Sequence, residues 1–219
     1  MPFKLELLTV TNIVIVYEAL DVAALSRDAA RRLIGGNSAR LVDGGDVLIV
    51  DYPTEAIQFV FAHRRMQIND NKPVSLSESR LPKLIKEAQK LTKGIRIVAY
   101  GFNFDAFITL PDQKKPKEFL KARFLANRKE LTQQLSANIE EIALQFKLTE
   151  KDLEYNLDLK ADKLPLGKGV AEPHVISGIH VHFNAHYPKR EVPSSTELKK
   201  QLEGQFKYLL QLLGKLFKD

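Results

Sequence analysis

Four of the chain's five histidines, His174, His180, His182 and His186, stand within thirteen residues of one another. On a strand, side chains two residues apart project to the same side. If this segment is extended, His180, His182, Asn184 and His186 share one face, and Ile179, Val181, Phe183, Ala185 and Tyr187 share the other. A His-x-His pair can present two neutral imidazoles to one divalent transition metal, with a carboxylate completing the set. The expected ligands are His180, His182, His186 and Asp105, and Glu191 is a second carboxylate in reach of the same segment. The competing expectation is a plain polar sheet face whose histidines hydrogen-bond across to Asn103 and Asp105.

Two other groups of residues could bind a partner. Lys114, Lys115, Lys117, Lys121, Arg123, Arg128 and Lys129 make the richest basic stretch, and His63-Arg64-Arg65 places two guanidinium groups together. Arg64 and the lysines Lys114, Lys115, Lys117 and Lys121 are therefore the candidates for contact with an anion or nucleic acid. Phe119 and Phe124 lie among these lysines at core spacing, not at the interleaving that base stacking needs. Near the C-terminus, Phe206, Tyr208, Leu210, Leu213 and Phe217 belong to a helix that is apolar nearly all round. Such a helix must be covered on more than one side. These five residues are the expected interface with a second copy of the chain.

Composition removes several chemistries. The 219 residues include no cysteine, which excludes a disulfide scaffold, a thiolate metal site, an iron–sulfur cluster and a thiol nucleophile. No Gly-x-Ser-x-Gly elbow, Walker loop, His-Glu-x-x-His helix or calcium loop occurs. Gly167-Lys168-Gly169 lacks the following helix of a phosphate cradle. The net charge is +6, which permits an acidic partner without locating one. No apolar run approaches the roughly 20 residues of a membrane span, and Met1-Pro-Phe-Lys-Leu-Glu does not read as a signal peptide. A cytoplasmic protein is expected.

The elements that would hold these residues follow from periodicity. Leu5 to Tyr17, Ile95 to Leu110, Leu153 to Leu159 and Val175 to Tyr187 alternate or are β-branched, and read as strands. Val47 to Asp51 and Ile57 to Ile68 flank a turn at Tyr52 to Glu55 and read as a hairpin. Helices are expected from Asp21 to Gly35, from Ser79 to Gly94, and after the capping box Ser194…Glu197. A long central helix is expected from Leu120, Phe124, Leu131, Leu135, Ile139, Ile142 and Phe146. Consecutive strands joined by turns imply antiparallel pairing. The expected fold is α+β: a mostly antiparallel sheet of about six strands with helices packed on one face. It forms a single composite domain over 1–219, with a subdivision near 111–116.

Two functions follow as expectations. The first is a non-catalytic binding or assembly protein that forms a homo-oligomer. The second is a metal-dependent enzyme or metal-binding protein built on the His-x-His strand. A nucleic-acid-associated protein using the basic stretch is a third.

Overall fold

The computed structural model describes residues 2–35, 39–111, 115–166 and 174–218. The strands are β1 (Lys4–Tyr17), β2 (Arg40–Asp43), β3 (Leu48–Tyr52), β4 (Ile57–Ala62), β5 (Arg65–Asp70), β6 (Ile97–Thr109), β7 (Ala143–Glu150), β8 (Leu153–Leu166) and β9 (His174–Tyr187). The helices are α1 (Arg27–Ala30), α2 (Leu81–Gln89), α3 (Pro116–Phe124), α4 (Arg128–Leu135) and α5 (Ser195–Leu216). All nine strands join one antiparallel sheet in the order β2-β3-β4-β5-β1-β6-β9-β8-β7. The fold is thus α+β with a large antiparallel sheet, and the expected six strands understate it.

Tight turns account for most of the difference. The apolar run from Ile57 to Ile68 is two strands, because His63 and Arg64 turn the chain and Ala62 pairs with Arg65. Arg64 takes a left-handed φ of 61° there. The strands it joins, β4 and β5, are interior to the sheet.

The long central helix is absent. In its place α3 ends at Leu125, α4 closes on a left-handed Ser136, and β7 follows. Ile139, Ile142 and Phe146 do fall at helical spacing. Leu144, Phe146 and Leu148 also alternate with Gln145, Lys147 and Thr149, and pairing with β8 selects period two. The helix expected from Asp21 to Gly35 is also reduced, to the single turn α1. Arg27 Nη1 donates to the carbonyls of Val22, Ala23 and Leu25 at 2.7, 3.0 and 2.7 Å. These carbonyls are thereby satisfied without a longer helix. The other expected elements form, including α5 with Ser194 accepting from the Glu197 amide at 3.2 Å.

The sheet has one greasy face. Even-numbered residues of β6, from Tyr100 to Ile108, meet odd-numbered Ile179 to Tyr187 of β9, all buried. Tyr100 stacks on Tyr187 and Phe104 on Phe183, with ring centroids 4.8 and 6.3 Å apart. Over this face lie α5, through Leu198, Leu202, Leu209 and Leu213, and α2, through Leu81, Leu84, Ile85 and Ala88. Leu120 of α3 joins the same core. Burial of this apolar surface is the main driving force for the fold. The other face carries the polar side chains of β6, β9 and β8, together with Val14 and Val16 of β1, Val60 of β4 and Phe107 of β6.

Candidate functional site on the uncovered sheet face

Register lines up polar residues across the strands. Gln58 of β4, Asn69 of β5, Asn12 of β1, Asn103 of β6, Asn184 of β9 and Asn156 of β8 are successive cross-strand partners. Their amides join head to tail in two runs, one from Asn156 to Asn12 and one between Asn69 and Gln58. Asn156 Nδ2 donates to Asn184 at 3.5 Å, Asn184 to Asn103 at 2.6 Å and Asn103 to Asn12 at 2.5 Å. Asn69 Nδ2 donates to Gln58 at 3.1 Å, and Gln67 donates to Asn69 at 2.6 Å. Asn12 is 6% exposed and Asn69 9%, so the middle of the row is nearly withdrawn from solvent. A carboxamide carries both donors and an acceptor, which is what lets one residue type bridge strand to strand. Sequence reading found Asn103 and Asn184 but missed the row, because the register needed to align it is not visible from the chain alone.

One pleat along lies the histidine group. Asp105 is opposite His182, and His182 is opposite Asp158. His182 donates through Nδ1 to Asp105 Oδ1 at 2.8 Å, and His180 Nε2 lies 3.6 Å from the same oxygen. The bond to Asp105 raises the His182 pKa above its usual 6.5; burial opposes this, and Asp105 and Asp158 add attraction for the proton. Asp158 Oδ1 is buried with no hydrogen-bond partner among the described residues. Thus His180, His182 and Asp105 come together as the spacing implied. His186 does not join them. It lies opposite Gly101 and Glu154, beyond Asn184 and about 13 Å along the strand from His182. Glu191 lies exposed after β9. Among the described residues, no three His, Asp or Glu side chains are grouped to hold a metal ion. The pair Asp105–His182 is a hydrogen-bonded dyad.

Two glycines let this face close up. A Cβ on Gly178 would sit 2.4 Å from Ile108 O and from the Phe107 ring, and one on Gly101 would sit 2.8 Å from Ala185 O. Phe107, the aromatic on this side of β6, therefore lies down over Gly178 and is 2% exposed.

The basic candidates are largely committed within the chain. Lys121 is buried, and its ammonium donates to Ile139 O at 3.1 Å while pairing with Glu118 at 2.6 Å. It is not placed to meet an anion. Lys117 pairs with Glu141 at 2.7 Å, and Arg128 with Glu118 at 3.1 Å. Arg123 donates to the carbonyls of Leu216 and Lys218, and Arg64 Nε to Tyr17 O at 3.2 Å. Lys115 is exposed just before α3. Lys114 lies outside the described residues.

The interface candidates on α5 divide. Leu213 and Phe217 are buried in the chain's own core, with Phe217 edge-on to Phe3 and Phe119. Phe206 packs on Phe104, and Tyr208 on Tyr155 and Phe183. These two and Leu210 are half-buried. The sheet thus covers most of the helix that periodicity left open. Two surface hollows, of about 680 Å³ beside α3 and α4 and of about 1050 Å³ between α3 and the ends of β8 and β9, have no histidine among their described lining residues.

The sequence matches no protein-family model, and no curated protein matches it at a significant level.

Proposed function

We propose that the chain is a non-catalytic binding and assembly protein that works as a homo-oligomer and offers the uncovered sheet face to what it binds. The observation that supports this reading is the amide row from Gln58 to Asn156 with the Asp105–His182 dyad beside it. Its amides hold one another in two runs, from Asn156 to Asn12 across four strands and from Asn69 to Gln58 across two. They form a platform of fixed donors and acceptors and do not converge on an enclosed cavity of the kind that sequesters a reaction. No hydroxyl among the described residues hydrogen-bonds to His182, so the dyad is not arranged as a Ser-His-Asp relay.

The test is mass measured by light scattering after size exclusion, over a dilution series. A mass above the 24.8 kDa chain that falls on dilution supports the oligomer; a monomer throughout rejects it. For the face, histidine-selective NMR would follow the imidazoles while short acidic and basic peptides and single-stranded RNA are added. Shifts of His180 and His182 with the helices undisturbed support the platform. Shifts confined to the helical side reject it.

A metal-binding reading keeps one specific observation, the two imidazoles 2.8 and 3.6 Å from a single carboxylate oxygen. A small side-chain rotation would let all three face one ion. Elemental analysis of protein purified without a nickel column decides it. Stoichiometric metal that disappears in the His180→Ala/His182→Ala variant supports this reading; metal-free protein rejects it.

A further inference from the structure

We propose that two copies of this chain join edge to edge through β7, antiparallel about Phe146, so that one sheet runs through both and the two polar faces lie on the same side. The proposal rests on the homo-oligomer reading above and specifies its joint.

The sheet has two edges, and they differ. β2 has four residues, and Arg27 ties its end down through Asp43 at 2.8 Å. β7 has eight residues, all paired to β8 on one side, and its other side is the end of the sheet. Alternate backbone N–H and C=O groups of such a strand point outward and are ready to pair with another strand. Of the devices that usually blunt an edge, Ala143 to Glu150 carries only charge, at Lys147 and Glu150. It has no proline or glycine and no register shift against β8, and its core-side residues Leu144, Phe146 and Leu148 are apolar and only half-buried.

The strand is also complementary to itself. A two-fold axis through Phe146 sets Phe146 against Phe146, Leu144 against Leu148 and Gln145 against Lys147, and Ala143 against Thr149. On the core side every pair is apolar, and on the polar side no charge meets its like. Moving the axis to residue 147 would oppose Lys147 to itself, which directly facing strands penalise. Moving it to residue 145 would leave only Ala143 to Lys147 paired within β7, where the axis at Phe146 pairs Ala143 to Thr149, and so shortens the joint. An axis perpendicular to the sheet keeps its faces, so Lys147, next to Asn156 of the amide row, would continue that row into the partner's β7.

Because the chain has no cysteine, introduced thiols report the joint without background. Bridged residues need Cα atoms within about 7 Å. In this register Gln145 faces Lys147 of the partner, so Gln145→Cys/Lys147→Cys should link into a covalent dimer under mild oxidation. Either single variant, its thiols offset by two residues, should not. Gln145 is exposed, so Gln145→Lys should leave the fold intact, yet set Lys against Lys147 twice and raise the dimer dissociation constant about tenfold. If a single variant links instead, the register is wrong. If the wild type is a dimer that neither links nor responds to Gln145→Lys, β7 is not the joint, and the homo-oligomer reading survives with this proposal overturned. A wild-type monomer at every concentration overturns both.

Discussion

His182 is the residue whose protonation matters most on the polar face. Asp105 on β6 accepts its Nδ1 proton, Asp158 on β8 adds a second negative charge, and His180 and Asn184 flank it on its own strand. Both carboxylates favour the imidazolium, and Lys160, opposite His180 on β8, is the cation on the same face. Its pKa is raised in the folded state above the ordinary 6.5, so its contribution to stability is complete below about 6.5 and is lost as pH climbs through the raised value. An NMR titration should place the His182 midpoint above that of a free histidine, and Asp105→Asn should bring it back down. A His182 midpoint at or below 6.5 in the wild type would contradict the dyad. Thr11 makes the opposite case. Its hydroxyl is fully buried on β1 and has no partner among the described residues. A buried polar group without a partner costs roughly 1–3 kcal/mol, and valine has nearly the same shape. Thr11→Val should therefore raise the unfolding free energy by about 1 kcal/mol in urea titration; a loss of stability would mean that the hydroxyl is bonded after all.

At the scale of elements, the seam between β6 and β9 brings the two candidate strands together, and it depends on small residues. Gly178 has Ile108 O and the Phe107 ring where a Cβ would go. Gly178→Ala should cost about 2 kcal/mol, in the range for overpacking a filled site. The same substitution at Gly204, on α5 with nothing within 4 Å, should be neutral or stabilising, since alanine is the better helix former. Equal losses at both sites would contradict the tight seam. This seam was partly legible in the sequence. Alternation along Val98 to Ile108 and Ile179 to Tyr187 gave both faces of both strands, and so named Asp105, His180 and His182 together. Alternation carries no register, so it could not tell that His186 falls beside Gly101 or that five asparagines and Gln58 align. Nor could it separate helix from strand over Ile139 to Phe146, where both periods fit the same apolar residues. Only pairing with Tyr155 and Leu157 on β8 decides for the strand. The two-residue turn at His63-Arg64 escaped notice because it contains neither glycine nor asparagine.

Across the whole molecule, stability should fall from the middle of the sheet to its edges. The buried aromatics Tyr100, Phe102, Phe104 and Phe183 sit on β6 and β9, and α5 lies over them through Phe206 and Gln201. β1 is held on both sides by long ladders to β5 and β6. Opening these strands exposes the core, so their amides exchange only on global unfolding, whereas an edge strand opens locally at lower cost. Hydrogen exchange followed by mass spectrometry should find β1, β6 and β9 slowest and β2 among the fastest. β7 is the informative strand, because its amides face two ways. Those directed at β8 should be protected at any protein concentration. Those directed outward should exchange rapidly in dilute solution and slow as concentration rises, if a partner's β7 closes over them. Slowing confined to α5, with β7 unchanged, would instead return the interface to Phe206, Tyr208 and Leu210. It would also leave the sheet ending at Ala143–Glu150 in solution.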